Sequence, residues 1–135
     1  MSRRVVITGL GVISPNGNGV PDFLNAIEQG ISGIQFIPEY EELKFNCQVC
    51  GLPDFKLEQL KNYISETSLY GLKGQAIALG IKVALDAWMD AGNEIITKDT
   101  LWETGCVFGS SVADTAVIKN AITRVDAKES KKLGS

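Results

Sequence analysis

The sequence RRVVITGLGVISPNGNG, residues 3–19, decides the fold of this chain. Residues 5–7 (VVI) are consecutive β-branched residues without polar alternation, which predicts a short strand buried on both faces, as in a parallel sheet. Gly9 and Gly11 follow, and glycines at this spacing let the backbone turn tightly or approach another backbone closely. Residues 14–19 (SPNGNG) carry a dense turn signal. The stretch therefore predicts a buried strand that leads into a turn.

A dinucleotide-binding turn is the first function that these glycines suggest, and their spacing argues against it. That fingerprint needs Gly-x-Gly-x-x-Gly to open a helix directly. Here Ser14 stands at the third glycine position and Pro15 follows it, so no helix can begin before about Pro21. We therefore predict no nucleotide cofactor.

Two helices are predicted from hydrophobic spacing. Residues 21–29 place apolar side chains at helical intervals, and Gly30 supplies a left-handed stop. Residues 72–91 form the longest regular element, and apolar residues line two adjoining faces of it. A face this wide implies a helix buried against more than one layer. Gly74 and Gly80 lower its helix propensity, and we expect close packing to compensate.

The remaining segments predict smaller elements and no metal site. Residues 38–44 contain three glutamates but no glycine that would fold them around a cation, so a solvated, irregular acidic loop is the preferred interpretation. Residues 54–68 predict a short helix against the body. Residues 106–108 predict a strand, and Asp114 is expected to cap a last helix.

Cys47 and Cys50 are predicted to be buried and unreactive. Cys47 and Cys50 form a Cys-x-x-Cys pair, which is also typical of half a zinc site or of a redox pair. A zinc site needs two further ligands, and only Cys106 and carboxylates remain. Residues 45–52 predict a strand, on which side chains three apart point to opposite faces. Cys106 lies in an apolar run, which disfavours a nucleophilic role.

The overall composition excludes several classes of function. The 135 residues suffice for one ordinary domain, and the net charge of −3 argues against a nucleic-acid partner. The most apolar window, residues 76–85, is too short for a membrane span, and no signal peptide is recognisable. We expect a cytoplasmic protein with reduced thiols. The chain contains no histidine, which removes Ser–His and Cys–His catalysis and the commonest metal ligand.

Residues 3–19 closely resemble the opening of the β-ketoacyl-acyl carrier protein synthases, the condensing enzymes of fatty-acid and polyketide synthesis. Residues 30–34 (GISGI) and 90–92 (DAG) are also similar to segments of that family. The resemblance implies an α/β protein with a partial thiolase-like fold. Residues 1–135 would form the incomplete N-terminal portion of a layered αβαβα architecture, with a mixed sheet, a buried helix and no internal domain boundary.

The resemblance also assigns one site residue. Residues 104–111 (TGCVFGSS) are similar to a strand after which the family places an apolar residue at the far end of its acyl pocket. Aligned in this way, Val112 is a substrate-binding residue that helps to set acyl chain length. The glycines usual around it are replaced by Ser111, Ala113 and Asp114. The family's nucleophilic cysteine and two histidines are expected beyond residue 135, so this chain holds no catalytic residue and no cofactor or metal.

The implied activity is a decarboxylative Claisen condensation of an acyl thioester with malonyl-carrier protein. Acyl carrier protein is the implied partner, in a homodimer or a synthase heterodimer, although residues 65–73 lack the basic cluster with which many bacterial members dock it. This chain alone would be inactive. The alternative is a chain-length-factor-like subunit, which keeps the fold, lacks the nucleophile and pairs with an active synthase. A free-standing small binding domain is a third interpretation.

Overall fold

A computed structural model describes residues 4–72, 74–93, 104–110, 114–129 and 131 of the chain. The described elements, in chain order, are β1 (Ile13–Ser14), β2 (Gly17–Asn18), α1 (Val20–Glu28), β3 (Ile34–Phe36), α2 (Pro38–Glu42), β4 (Val49–Gly51), a 3-10 helix (Leu57–Leu60), α3 (Glu66–Gly71), α4 (Gln75–Asp90) and α5 (Thr115–Asp126). The protein is thus of mixed α/β class, as predicted. Over these ranges, no helix has the length and apolar character to cross a bilayer.

The predicted turn after Gly11 is a tight hairpin. Strands β1 and β2 pair antiparallel, with Ile13 opposite Asn18. The hydroxyl of Ser14 donates to Asn16 Oδ1 at 2.8 Å, which stabilises the connection locally. Helix α1 then begins one residue before the predicted position and ends at Glu28, and the φ of 66° at Gly30 confirms the left-handed stop.

The second hairpin contains one element that the sequence prediction missed. Strands β3 and β4 pair antiparallel, with Phe36 opposite Val49. Between them, residues 38–44 were predicted as an irregular loop, but Pro38–Glu42 forms the short helix α2. Proline suits the first turn of a helix, and Glu39 in that turn is favoured by the helix dipole. These local preferences outweigh the polarity that suggested a loop.

The hydrophobic core lies where the 3-10 helix meets α4. Its buried members are Phe55, Leu60 and Ala78, and Ile64 and Leu85 pack against them. Residues 54–68, predicted as one short helix, instead supply the 3-10 helix and the start of α3. The long helix is confirmed as α4, which begins three residues later than predicted and ends one residue earlier.

The strand predicted at residues 5–7 is wrong for the described structure. These residues form no regular strand, and Val5, Val6 and Ile7 are 93%, 65% and 83% exposed. Residues 106–108 likewise lie in a segment without regular structure, with Val107 and Phe108 exposed. A buried strand requires neighbouring strands and a layer on each face. The described residues give these two segments no such strand partners.

The close approach predicted for the two glycines is confirmed, with α4 as the partner. A Cβ on Gly9 would overlap the carbonyl oxygen of Ala87 and lie 2.6 Å from the backbone nitrogen of Ala91. A Cβ on Gly11 would overlap the carbonyl oxygen of Val83 and lie 2.9 Å from the nitrogen of Ala87. The backbone therefore rests directly on the helix, at a distance that only glycine permits.

We expect Gly9→Ala to lower the free energy of unfolding by about 2–3 kcal/mol, because the obstructing atoms belong to helix backbone and cannot turn aside. Gly105→Ala is the matched control, since no atom lies within 4 Å of the Cβ that it would add. Urea unfolding followed by circular dichroism measures both. Equal midpoints for the two variants would contradict the packing of this segment on α4.

Candidate functional site

The one site residue predicted from the sequence, Val112, lies outside the described residues. The structure does describe the chain on both sides of it. Before it, the ring of Phe108 lies over Gly80, where an added Cβ would be 3.3 Å from Phe108 Cε1. After it, Asp114 lies at the N-terminus of α4. Both flanking residues thus contact the N-terminal half of the same helix, and Gly80 has the close packing that its sequence predicted.

Asp114 accepts hydrogen bonds from the N-termini of two helices. Its Oδ1 atom accepts from the backbone N–H groups of Ala116 and Val117, at 3.1 and 3.4 Å, and so caps α5 as predicted. Its Oδ2 atom accepts from the N–H of Gln75 at 2.8 Å, at the first residue of α4. One carboxylate therefore joins the start of α5 to the start of α4, where Gln75 lies 39 residues before Asp114 in the sequence.

Gly74 makes room for this shared cap. It is buried, it immediately precedes α4, and a Cβ at this position would lie 2.9 Å from Asp114 Oδ2 and 3.2 Å from Asp114 Cβ. Any larger residue would displace the carboxylate. The sequence predicts Asp114 as the cap of α5 alone, and its bond to Gln75 was not predicted. Gly74 was a usable signal, because a glycine directly before α4 leaves that helix without a capping side chain of its own.

The electrostatics of Asp114 follow from these bonds. Desolvation raises the pKa of its carboxyl group, but hydrogen bonds from the backbone N–H groups of Gln75, Val117, Ala116 and Ala76 outweigh it, and the pKa lies below its ordinary value. The ionised form is favoured because both helix N-termini present positive partial charge to it.

An open apolar cleft adjoins the shared cap. Its volume is about 340 Å³, and it is lined by Phe55, Leu57, Leu72, Gly74 and Gln75. The last two of these residues also contact Asp114, so the cleft and the cap share a wall. A cleft of this size, lined mainly by hydrocarbon, suits an apolar ligand rather than a charged one.

The prediction of buried cysteines is wrong. Cys47 and Cys106 are exposed and Cys50 is partly exposed. The Sγ atoms of Cys47 and Cys50 lie 3.6 Å from the carbonyl oxygens of Val49 and Gly51. Strand β4 is shorter than predicted and excludes Cys47. A hydrogen bond with the Cys50 thiol is the main cause that raises the pKa of Tyr40.

The chemistry available in the described part of the chain is limited. In that part, no three Cys, Asp or Glu side chains lie close enough together to hold a metal ion. Lys82 is paired with Asp86 one helical turn away. Asp90 Oδ2 accepts the backbone N–H of Leu10 at 2.9 Å. Asp114 and Asp90, at the N-terminal and C-terminal ends of α4, thus both accept hydrogen bonds from backbone N–H groups.

Comparison with known proteins gives a consistent result. Residues 2–134 match the family model described as the N-terminal domain of β-ketoacyl synthase. The chain is 32% identical over 127 residues to 3-oxoacyl-acyl-carrier-protein synthase 1 of Haemophilus influenzae, covering 93% of this chain and 29% of the relative. It is 34% identical over 114 residues to synthase 2 of Coxiella burnetii, covering 82% of this chain and 26% of the relative. The chain thus spans under a third of the length of these curated relatives.

The lowered pKa of Asp114 predicts acid-sensitive stability. A carboxyl group with a depressed folded-state pKa stabilises the fold fully above its unfolded pKa of about 3.9, and this stabilisation is lost as pH falls through the lower folded value. We expect the free energy of unfolding of the protein to exceed that of Asp114→Asn by a constant amount above about pH 5 and to converge with it once the pH falls below the lowered folded-state pKa of Asp114. Urea titrations at stepped pH measure the difference, and a pH-independent difference would contradict the assignment.

Proposed function

The chain belongs to the β-ketoacyl synthase family, and from this membership we propose that the protein works as a 3-oxoacyl-acyl carrier protein synthase. It would lengthen an acyl chain in fatty-acid or polyketide synthesis by decarboxylative condensation with malonyl-carrier protein. The match over residues 2–134 is the observation that carries this proposal.

The proposed reaction has two stages. A cysteine thiolate attacks the acyl thioester, forms a new thioester and releases the thiol of the carrier protein. Loss of carbon dioxide from the malonyl unit then leaves a carbanion, which attacks the acyl-enzyme carbonyl and releases the cysteine. Two histidines would assist the decarboxylation. Because the 135 residues contain no histidine, we propose that the histidines and the nucleophilic cysteine belong to sequence beyond residue 135.

The contribution of residues 1–135 would be scaffold and part of the acyl pocket. Val112 is proposed to contact the far end of the acyl chain. This proposal is supported by the contacts of Phe108 and Asp114, which flank Val112 in sequence and both pack on α4. It is also supported by the apolar cleft of about 340 Å³ that adjoins Asp114.

Acyl carrier protein is the proposed partner, and α3 is a poor candidate for docking it. This helix carries Glu66 in its first turn and no basic residue in its last turn. Carrier proteins that are acidic would be repelled rather than attracted by such a helix. We therefore propose that docking uses basic residues elsewhere in the protein, in a homodimer or a synthase heterodimer.

The proposed function predicts that condensation depends on a cysteine other than Cys47, Cys50 and Cys106. The protein is expressed from its complete coding sequence and given hexanoyl- and malonyl-carrier proteins, and release of carbon dioxide and of 3-oxoacyl product is measured. Iodoacetamide is expected to abolish the product. A variant with serine at Cys47, Cys50 and Cys106 should keep activity within about threefold and stay sensitive to iodoacetamide, because the proposed nucleophile is a different cysteine.

Two results would contradict the proposal. Loss of acyl transfer in Cys106→Ser alone would place the nucleophile within this chain. Absence of condensation and of any acylated cysteine, together with stable binding to a separate synthase, would replace the proposed activity with the role of a chain-length-factor-like subunit.

A further inference from the structure

Cys47 and Cys50 are two thiols that the proposed reaction does not use, and the structure leaves both of them accessible. Cys47 is exposed, Cys50 is partly exposed, and neither is in a disulfide. The prediction of unreactive thiols assumed that one strand carries both, so that they point to opposite faces. That assumption fails for this pair, because β4 begins at Val49 and leaves Cys47 outside the strand.

The hydroxyl group of Tyr40 lies near both thiols. The hydrogen bond with the Cys50 thiol is the main cause that raises the pKa of Tyr40, and the Cys50 charge, desolvation and the Cys47 charge raise it further. Tyr40 is itself restrained, because its ring lies 5.2 Å from that of Phe45 and its carbonyl oxygen accepts the N–H of Phe45 at 2.9 Å. Both sulfur atoms therefore lie within electrostatic range of one restrained hydroxyl group.

A disulfide between these two thiols requires the chain before β4 to bend. Three residues of strand advance about 10 Å, whereas the Cα atoms of a disulfide lie about 4.4–6.8 Å apart. Cys50 is paired with Gln35 in the sheet, so closure has to move Cys47. The N–H of Ile37 donates to the carbonyl oxygen of Gln48 at 2.8 Å, directly beside Cys47. Closing the disulfide would therefore break this hydrogen bond.

The two ends of the β3–β4 hairpin differ in how firmly they are held. At one end, Gly33 and Gly51 pack against Pro15, where an added Cβ would lie 2.6 Å from Pro15 Cβ and 2.7 Å from Pro15 Cγ, respectively. At the other end, Phe36 and Val49 are 51% and 49% exposed, so little buried contact opposes separation of the strands. The end at which β4 begins can thus open while the other end stays packed.

We propose that Cys47 and Cys50 form a redox-sensitive pair that hydrogen peroxide closes to a disulfide, and that closure opens the adjacent end of the hairpin. The exposed Cys47 thiolate attacks one peroxide oxygen, so that an S–O bond forms, the O–O bond breaks and hydroxide leaves, becoming water when it takes up a proton. The Cys50 thiolate then attacks the Cys47 sulfur and displaces a second hydroxide, which also becomes water. Two thiols and one hydrogen peroxide give one disulfide and two water molecules.

The test needs no condensation assay, so its result is independent of the proposed function. The protein expressed from its complete coding sequence is treated with hydrogen peroxide, blocked with N-ethylmaleimide and digested with trypsin. Cleavage after Lys44 and Lys56 releases residues 45–56, which contain both cysteines, as one peptide. We expect this peptide to lose two hydrogen atoms, to resist N-ethylmaleimide and to regain both thiols in dithiothreitol. Absence of the disulfide at every peroxide concentration at which the protein stays folded would overturn the inference.

Cysteine variants test the order of the two steps. In Cys50→Ser, the sulfenic acid on Cys47 loses its resolving thiol, so we expect dimedone to label Cys47 about tenfold more than in the unsubstituted protein. Cys106→Ser is the matched control, because Cys106 is also exposed but lies outside the pair, and the yield of disulfide should stay unchanged in it. Equal labelling of Cys47 in Cys50→Ser and in the unsubstituted protein would contradict the proposed steps.

Amide hydrogen exchange measures whether closure opens the hairpin. We expect the Ile37 amide to exchange about tenfold faster in the oxidised protein, as for the loss of one hydrogen bond, because the carbonyl group of Gln48 moves away from it. The amide of Gly19, which donates to the carbonyl oxygen of Val12 at 2.9 Å beside the first hairpin, is the control and should keep its rate. A disulfide that forms without any change at Ile37 would refute the coupling.

Discussion

The described structure depends on one close contact, in which the backbone of residues 9–11 lies directly against α4. Two residues of extended chain advance about 6.6 Å, and one turn of helix advances about 5.4 Å, so every second residue of the segment can meet successive helical turns. Gly9 meets Ala87 and Ala91, and Gly11 meets Val83 and Ala87. The segment thus runs antiparallel to the helix, with both glycines on the facing side. Alanine at either position would force the two backbones apart.

Two aspartates accept hydrogen bonds from backbone N–H groups at the two ends of α4. Asp90 belongs to the helix itself, and Asp114 lies before α5. Asp90 lies at the C-terminal end, where the helix dipole disfavours a negative charge. Its position is explained by the hydrogen bond that it accepts from Leu10, which ties the glycine segment to the helix. At the opposite end, Asp114 accepts hydrogen bonds from the backbone N–H groups of Gln75 in α4 and of Ala116 in α5. The helix is therefore the common support for an early segment and a late segment of the chain.

The features that sequence analysis predicted correctly are those decided by local chemistry. The glycine stop of α1, the cap on α5 and the amphipathic span of α4 each follow from residues within a turn or two. The strand at residues 5–7 failed because a strand is defined by its partners, and periodicity alone carries no information on them. The second bond of Asp114 could not be predicted, because Gln75 is 39 residues away and its pairing with Asp114 requires the tertiary structure. The exposure of Cys47 was missed because burial depends on tertiary neighbours, which a run of strand-forming residues does not specify.

The electrostatics of Asp114 suit it to a structural contact rather than to proton transfer. A general acid or base works best with a pKa near the working pH. The helix ends lower the pKa of Asp114 instead, which keeps the carboxylate ionised near neutral pH and unsuited to transferring protons. The same interaction makes it an effective anchor, because an ionised carboxylate keeps both oxygens available as acceptors. Asp114 thus contributes by holding the starts of α4 and α5 together beside the apolar cleft.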